Sequence, residues 1–170
     1  MKRNVLNKTV WAGLFIALTV VATMVIQVPS PTGGYVNAGD VLVILGGFVL
    51  GPLWGAVAAG AGSALADIFA GYIIYAPATF VIKGLMALAA GSILAAARKK
   101  RPLLFAILAG VTAEVIMIFG YFAYTATVLG YGWGALAEIP GNCVQGVFGA
   151  TAGIALFFAL RRIPYVRDNF

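Results

Sequence analysis

The 170-residue chain has no histidine, one cysteine and very little charge, with 9% Asp, Glu, Lys and Arg against 62% hydrophobic residues. Without His there is no imidazole to act as a general base and no His-containing zinc site. A lone Cys143 cannot close an internal disulfide. No Gly-x-x-x-x-Gly-Lys-Ser/Thr phosphate loop occurs, so the chain carries no ATP-binding loop of that type. Low-complexity tracts and internal repeats between the two halves are missing as well. No metal and no cofactor are expected. The scarcity of polar residues excludes a soluble monomer, which needs a far more polar surface.

What is present is apolar sequence cut by proline. Five stretches approach or exceed the roughly 20 residues that cross a ~30 Å hydrocarbon core, and a sixth is shorter. Pro29, Pro31, Pro52, Pro77, Pro102, Pro140 and Pro164 all fall at segment edges. Proline fits the first helical turn and halts a helix elsewhere, so these positions mark boundaries. The expected helices are 9–28, 36–50, 52–71, 77–97, 102–128 and 140–162. They form a single all-α membrane domain over residues 1–170. The run Val10–Val28 is too long for a signal-peptide core and lacks a small-residue cleavage site, so it reads as the first helix.

The basic residues orient the bundle. Lys2, Arg3 and Lys8 precede the first helix, Arg98, Lys99, Lys100 and Arg101 link the fourth and fifth, and Arg161, Arg162 and Arg167 follow the sixth. Six crossings put these three groups on one face, which is cytoplasmic by the positive-inside rule. Both chain ends then lie inside the cell, in a multi-pass protein of the bacterial plasma membrane. The net charge of +6 is a topology signal, not a nucleic-acid footprint. Only Lys83 breaks the rule, because it lies within a helix.

The rise of about 1.5 Å per residue gives each polar group a depth. Measured from the cytoplasmic helix ends, Asp67 lies at roughly 22 Å, Asp40 at roughly 18 Å, Lys83 at about 24 Å and Glu114 at about 20 Å. Gln145 and Asn142 fall near ~25 and ~30 Å. All sit at or above mid-membrane on the outer side, and the inner halves are apolar or small. A through-pore needs polar lining on both sides, so the pattern is that of a cup open to the exterior.

Ionisable groups inside a membrane are functional candidates, because burying them costs several kcal/mol unless they are paired or solvated. Asp67 and Lys83, at similar depths on consecutive helices, read either as a structural ion pair or as site residues. Glu114 shares a helical face with Tyr121 and Thr125. Asn142 and Gln145 share one with Glu138, and helix capping is the alternative role for Asn142. Asn37 and Asp40 flank the second helix and read as caps or as ligand contacts. Tyr72, Tyr75, Tyr131 and Trp133 in the outer loops suit an interfacial aromatic belt or ligand stacking. Gly13 and Ala17 make a small-xxx-small pair on the first helix, of the kind that lets helices approach closely. Gly55, Ala59 and Ser63 repeat the pattern on the third helix, and Gly146, Gly149, Ala150 and Gly153 on the sixth.

The segments Tyr35-Val-Asn-Ala-Gly-Asp40, Leu50-Gly-Pro-Leu-Trp-Gly55, Gly62-Ser-Ala-Leu-Ala-Asp67 and Tyr75-Ala-Pro-Ala-Thr-Phe-Val-Ile-Lys-Gly84 occur in this order. Together with Ile139-Pro-Gly-Asn-Cys-Val-Gln145 they resemble the S components of energy-coupling-factor (ECF) vitamin transporters. The likeness covers about residues 9–162 and is nearest the branch associated with hydroxymethylpyrimidine, pyridoxine or riboflavin. It implies a non-enzymatic, six-helix subunit that captures a vitamin or precursor from outside, with hydroxymethylpyrimidine or pyridoxine favoured and riboflavin next. It also implies a transmembrane coupling subunit and two cytoplasmic ATPases as partners. Expected ligand contacts are Tyr35, Asn37, Asp40, Asp67, Tyr75, Lys83, Glu114, Tyr121, Asn142 and Gln145. The Ala-x-x-x-Ala docking pattern of the family corresponds to Gly13-x-x-x-Ala17, and its gating loop to residues 29–39. Two other functions compete: a stand-alone proton-coupled secondary transporter of a small metabolite, and an intramembrane enzyme built on Asp67, Lys83 or Glu114.

Overall fold

The computed structural model describes the backbone of residues 2–97 and 101–163, and side chains from Lys8 onward within those ranges. Lys2, Arg3, Arg98, Lys99, Lys100, Pro164 and Arg167, used above for topology and boundaries, lie outside the described side chains. Six helices follow one another: α1 Lys2–Val25, α2 Asp40–Leu50, α3 Pro52–Phe69, α4 Ala76–Ala96, α5 Pro102–Ala123 and α6 Ile139–Leu160. Four of them start at proline, with Pro52, Pro77, Pro102 and Pro140 in the first turn, where the missing N–H costs nothing. Beyond α5 the chain continues through a π-helical turn, Tyr124–Val128, and a 3₁₀ segment, Gly132–Glu138, that leads into α6.

Among the described residues, five spans are long and apolar enough to cross a membrane, and α2 is not. Helix α2 has 11 residues. At the helical rise it covers only about 16 Å. The sequence places this helix at 36–50 and extends the first to residue 28. Residues 27–37 instead form a two-stranded antiparallel hairpin, with β1 Gln27–Pro29 paired to β2 Tyr35–Asn37. The turn is closed by the Ser30 carbonyl, which accepts from Gly33 N–H at 3.1 Å, and by the Ser30 N–H, which donates to Gly34 O at 2.8 Å. The hairpin therefore satisfies much of its own backbone as it enters the bundle.

Helix α2 is the axis of the bundle, packed by α1, α3, α4 and α6, and every residue from Val43 to Leu50 is buried. A helix that is apolar all round belongs in such a buried position or against lipid. Glycine allows the close approach: a Cβ on Gly47 would lie 2.5 Å from the Ala87 carbonyl oxygen of α4, and one on Gly91 2.6 Å from the Gly47 oxygen. Outside this axis, large apolar side chains such as Leu53, Val115 and Val144 are exposed around the bundle, as in a surface that faces lipid. Trp133 and Tyr131 are exposed on the outer connection, where an aromatic belt sits at a membrane interface.

Candidate functional site

The hairpin, the C-terminal end of α3, the N-terminal ends of α4 and α6 and the C-terminal end of α5 converge at the outer end of the bundle. There they enclose a cavity of about 30 Å³. Of the ten expected ligand contacts, seven line it: Tyr35, Asn37, Asp67, Tyr75, Tyr121, Asn142 and Gln145. Ser30, Thr79 and Glu138 complete the wall. Asp40, Lys83 and Glu114 do not reach it and form a buried polar layer beneath.

That layer is organised by one ion pair. Lys83 on α4 donates to Asp40 Oδ1 at the start of α2, with both side chains fully buried. The expected pair between Lys83 and Asp67 is not formed. Asp67 accepts instead from the Tyr35 hydroxyl at 2.5 Å. The reason is the position of α2: its short length sets Asp40, its first residue, at the level of Lys83. Gln145 Nε2 donates to the other Asp40 oxygen at 2.6 Å, and its Oε1 accepts from the Asn37 backbone N–H at 2.7 Å. A continuous chain of polar contacts thus runs from α4 through α2 and α6 to β2. The Lys83 ammonium also lies 5.5 Å from the centre of the Tyr121 ring. That separation is within the range of a cation–π contact.

The capping alternatives do not hold for Asp40 and Asn142, neither of which makes a helix-capping side-chain bond. Asn37 Oδ1 accepts from the Gly39 N–H at 2.8 Å. This is an Asx-type turn that leads into α2. Gly149 and Gly146 on α6 make room for the acids. A Cβ on Gly149 would lie 2.6 Å from Asp40 Cβ and 2.7 Å from Glu114 Oε1, and one on Gly146 3.1 Å from Glu114 Cβ. Neither Glu114 oxygen has a hydrogen-bond partner among the described residues.

Glu138 is absent from the expected contacts, although its i, i+4, i+7 spacing with Asn142 and Gln145 places it on their face. Its Oε2 accepts from Thr32 at the hairpin tip at 2.7 Å and from Thr125 in the π turn at 3.2 Å. The Tyr75 hydroxyl donates to the Thr32 carbonyl at 3.0 Å, so the tip is held from two sides. Thr79, one turn before Lys83 on the same face, is likewise absent from the expectations. Its hydroxyl is 3.0 Å from that of Tyr121. Burial, then the Asp67 carboxylate, push the Tyr35 phenol up; burial, then Glu138, do the same for Tyr75. Both remain protonated donors at neutral pH. Tyr72 is not only a belt residue, since its ring packs on Tyr35 at 4.5 Å between centroids.

A polar cavity at one end of an apolar helical bundle, covered by a hairpin and floored by a buried polar layer, is the geometry of a candidate ligand site in a membrane protein. The family model described as ECF-type riboflavin transporter, S component, matches residues 3–162, and the chain belongs to that family. It is an integral, multi-pass protein of the cell membrane. A Pyrococcus woesei protein described only as uncharacterized, in the gap 3′ region, is 37% identical over 144 residues, which cover 84% of this chain and 93% of that one. The solved S component of a bacterial ECF transporter shares the fold, with a TM-score of 0.69 over 92% of this chain and 96% of that one, at 20% identity.

Proposed function

We propose that the chain captures a vitamin or vitamin precursor from outside the cell and delivers it inward only when assembled with a transmembrane coupling subunit and two ATPases. The observation that carries this reading is the partly open cavity at the outer end, walled by aromatic and hydrogen-bonding side chains above an apolar inner half. Such a wall suits a small aromatic ring with a few directed hydrogen bonds. Hydroxymethylpyrimidine and pyridoxine are the favoured ligands and riboflavin, named by the family, is the next. Tyr35, Asn37, Asp67, Tyr75, Tyr121, Asn142 and Gln145 would contact it, and Asp40, Lys83 and Glu114 would hold the floor.

The cavity of about 30 Å³ has room for water alone. Small-molecule pockets run to roughly 300 Å³ and more. Outward movement of the hairpin, releasing Thr32 from Glu138 and Tyr75, would widen the cavity for a ligand. Energy coupling would use α1, where Gly13 and Ala17 face away from the bundle and a Cβ on Gly13 would meet nothing within 4 Å. Mass spectrometry of small molecules released from the gently purified protein tests the reading. A stoichiometric vitamin or precursor is the expected result. A tightly held ligand of another class, such as a lipid or peptide in the same cavity, contradicts it.

A further inference from the structure

Four of the five carboxylate side chains, Asp40, Asp67, Glu114 and Glu138, gather around this cavity and its floor, against one cation among the described residues, Lys83. That cation is consumed by Asp40. Two carboxylates remain in the cavity wall, and each has one committed oxygen and one without a donor. Asp67 Oδ1 takes the Tyr35 hydroxyl, while its buried Oδ2 makes no hydrogen bond of normal geometry among the described residues, the nearby Thr79 hydroxyl being shared with Tyr121. Glu138 Oε2 takes Thr32 and Thr125 while its buried Oε1 has none. Asp67 is 4% exposed and Glu138 5%, so bulk water cannot solvate these oxygens. Among the described residues, no Lys or Arg lines the cavity. An acceptor buried without a donor is costly, and a ligand that supplies the donor recovers that cost on binding.

We infer that the ligand is a neutral or cationic aromatic heterocycle rich in N–H and O–H donors, two of which meet Asp67 Oδ2 and Glu138 Oε1, and that phosphorylated or carboxylated forms are refused. The inference deepens the vitamin-capture reading and rests on it. An anionic group brought into this wall would face two carboxylates at low dielectric with no free cation to meet it. Like-charge juxtaposition of this kind is how a site rejects a near-identical molecule. The cavity would thereby select a free vitamin over its phosphorylated, intracellular-type derivative.

Calorimetric titration of the purified protein, freed of bound ligand and reconstituted in nanodiscs, tests this with matched sets. For pyridoxine, hydroxymethylpyrimidine and riboflavin in turn, the probes are the free alcohol, its phosphate monoester and its acetate ester. The acetate adds bulk without charge. For whichever vitamin binds, the phosphate is expected to be at least about tenfold weaker than the acetate. A phosphate that binds as tightly as the acetate overturns the inference while leaving vitamin capture standing. If no free vitamin binds, the vitamin reading itself has failed and the ligand class falls with it. Asp67→Asn and Glu138→Gln keep the shape and the Tyr35 and Thr32 contacts but remove the negative charge, so each is expected to narrow the gap between acetate and phosphate. An unchanged gap in both variants, each checked for an unaltered melting temperature, also overturns it.

Discussion

Lys83 of α4 pairs with Asp40 of α2, and through Gln145 this pair ties together three helices and the hairpin. Both charges are buried, so removing one partner strands the other. Asp40→Asn or Lys83→Met alone is expected to destabilise by about 3–5 kcal/mol, and Asp40→Asn with Lys83→Met by less than the sum. Asp67→Asn with Lys83→Met should instead be close to additive. Thermal unfolding of these single and double variants in detergent reads both cycles, and strong coupling between Asp67 and Lys83 would refute the assignment.

Asn142 lines the cavity, whereas Glu114 belongs to the polar layer beneath it. Asn142→Ala is expected to weaken ligand binding at least about tenfold, or ~1.4 kcal/mol. Glu114→Gln should weaken it less. If Glu114→Gln is the more damaging in a titration, the bound ligand penetrates to the second layer.

Gly149 is where α6 admits both Asp40 and Glu114. Gly149→Ala forces a methyl group against Asp40 and Glu114. A loss of about 1–3 kcal/mol of stability is expected from such overpacking. Gly13→Ala, with open space around it, should be neutral or slightly stabilising, since alanine is the better helix former. Equal melting temperatures for the two variants would mean that α6 shifts freely and does not fix the acids.

Much of this site is legible in the sequence. Proline positions mark four helix starts to within a residue, and counting residues along each helix puts the polar groups at the outer end. The partner of Lys83 is not legible. Depth estimates for Asp40 and Asp67 differ by only about 4 Å, and rotation about each helix axis, which decides the pairing, leaves no trace in one-dimensional spacing. The hairpin escapes for a related reason. The run Tyr35-Val-Asn is as compatible with an apolar helix start as with a strand, and only its cross-strand partners Gln27, Val28 and Pro29 make it extended. Glu138 carries a usable signal in its spacing with Asn142 and Gln145, but the 3₁₀ segment that delivers it to the cavity is a tertiary outcome.

The outward face of α1 is expected to dock the coupling subunit. Gly13→Trp with Ala17→Trp adds bulk at a surface where small side chains would let two lipid-solvated helices touch. Ligand affinity of the isolated chain should survive, while co-purification with the coupling subunit falls. A variant that assembles normally would move the interface elsewhere. Lost ligand binding in the isolated chain would place these residues inside the bundle's own packing.

As proposed, this chain binds its ligand but carries it inward only within the complete assembly. Uptake of the radiolabelled vitamin identified by mass spectrometry, into proteoliposomes holding either this chain alone or this chain with its coupling subunit and ATPases, tests it most directly. Accumulation is expected only in the complete assembly and only with ATP. Accumulation by the chain alone, driven by an imposed proton gradient, would rule out dependence on the ATPases and make Glu114, Asp40 and Lys83 members of a proton relay in a secondary transporter.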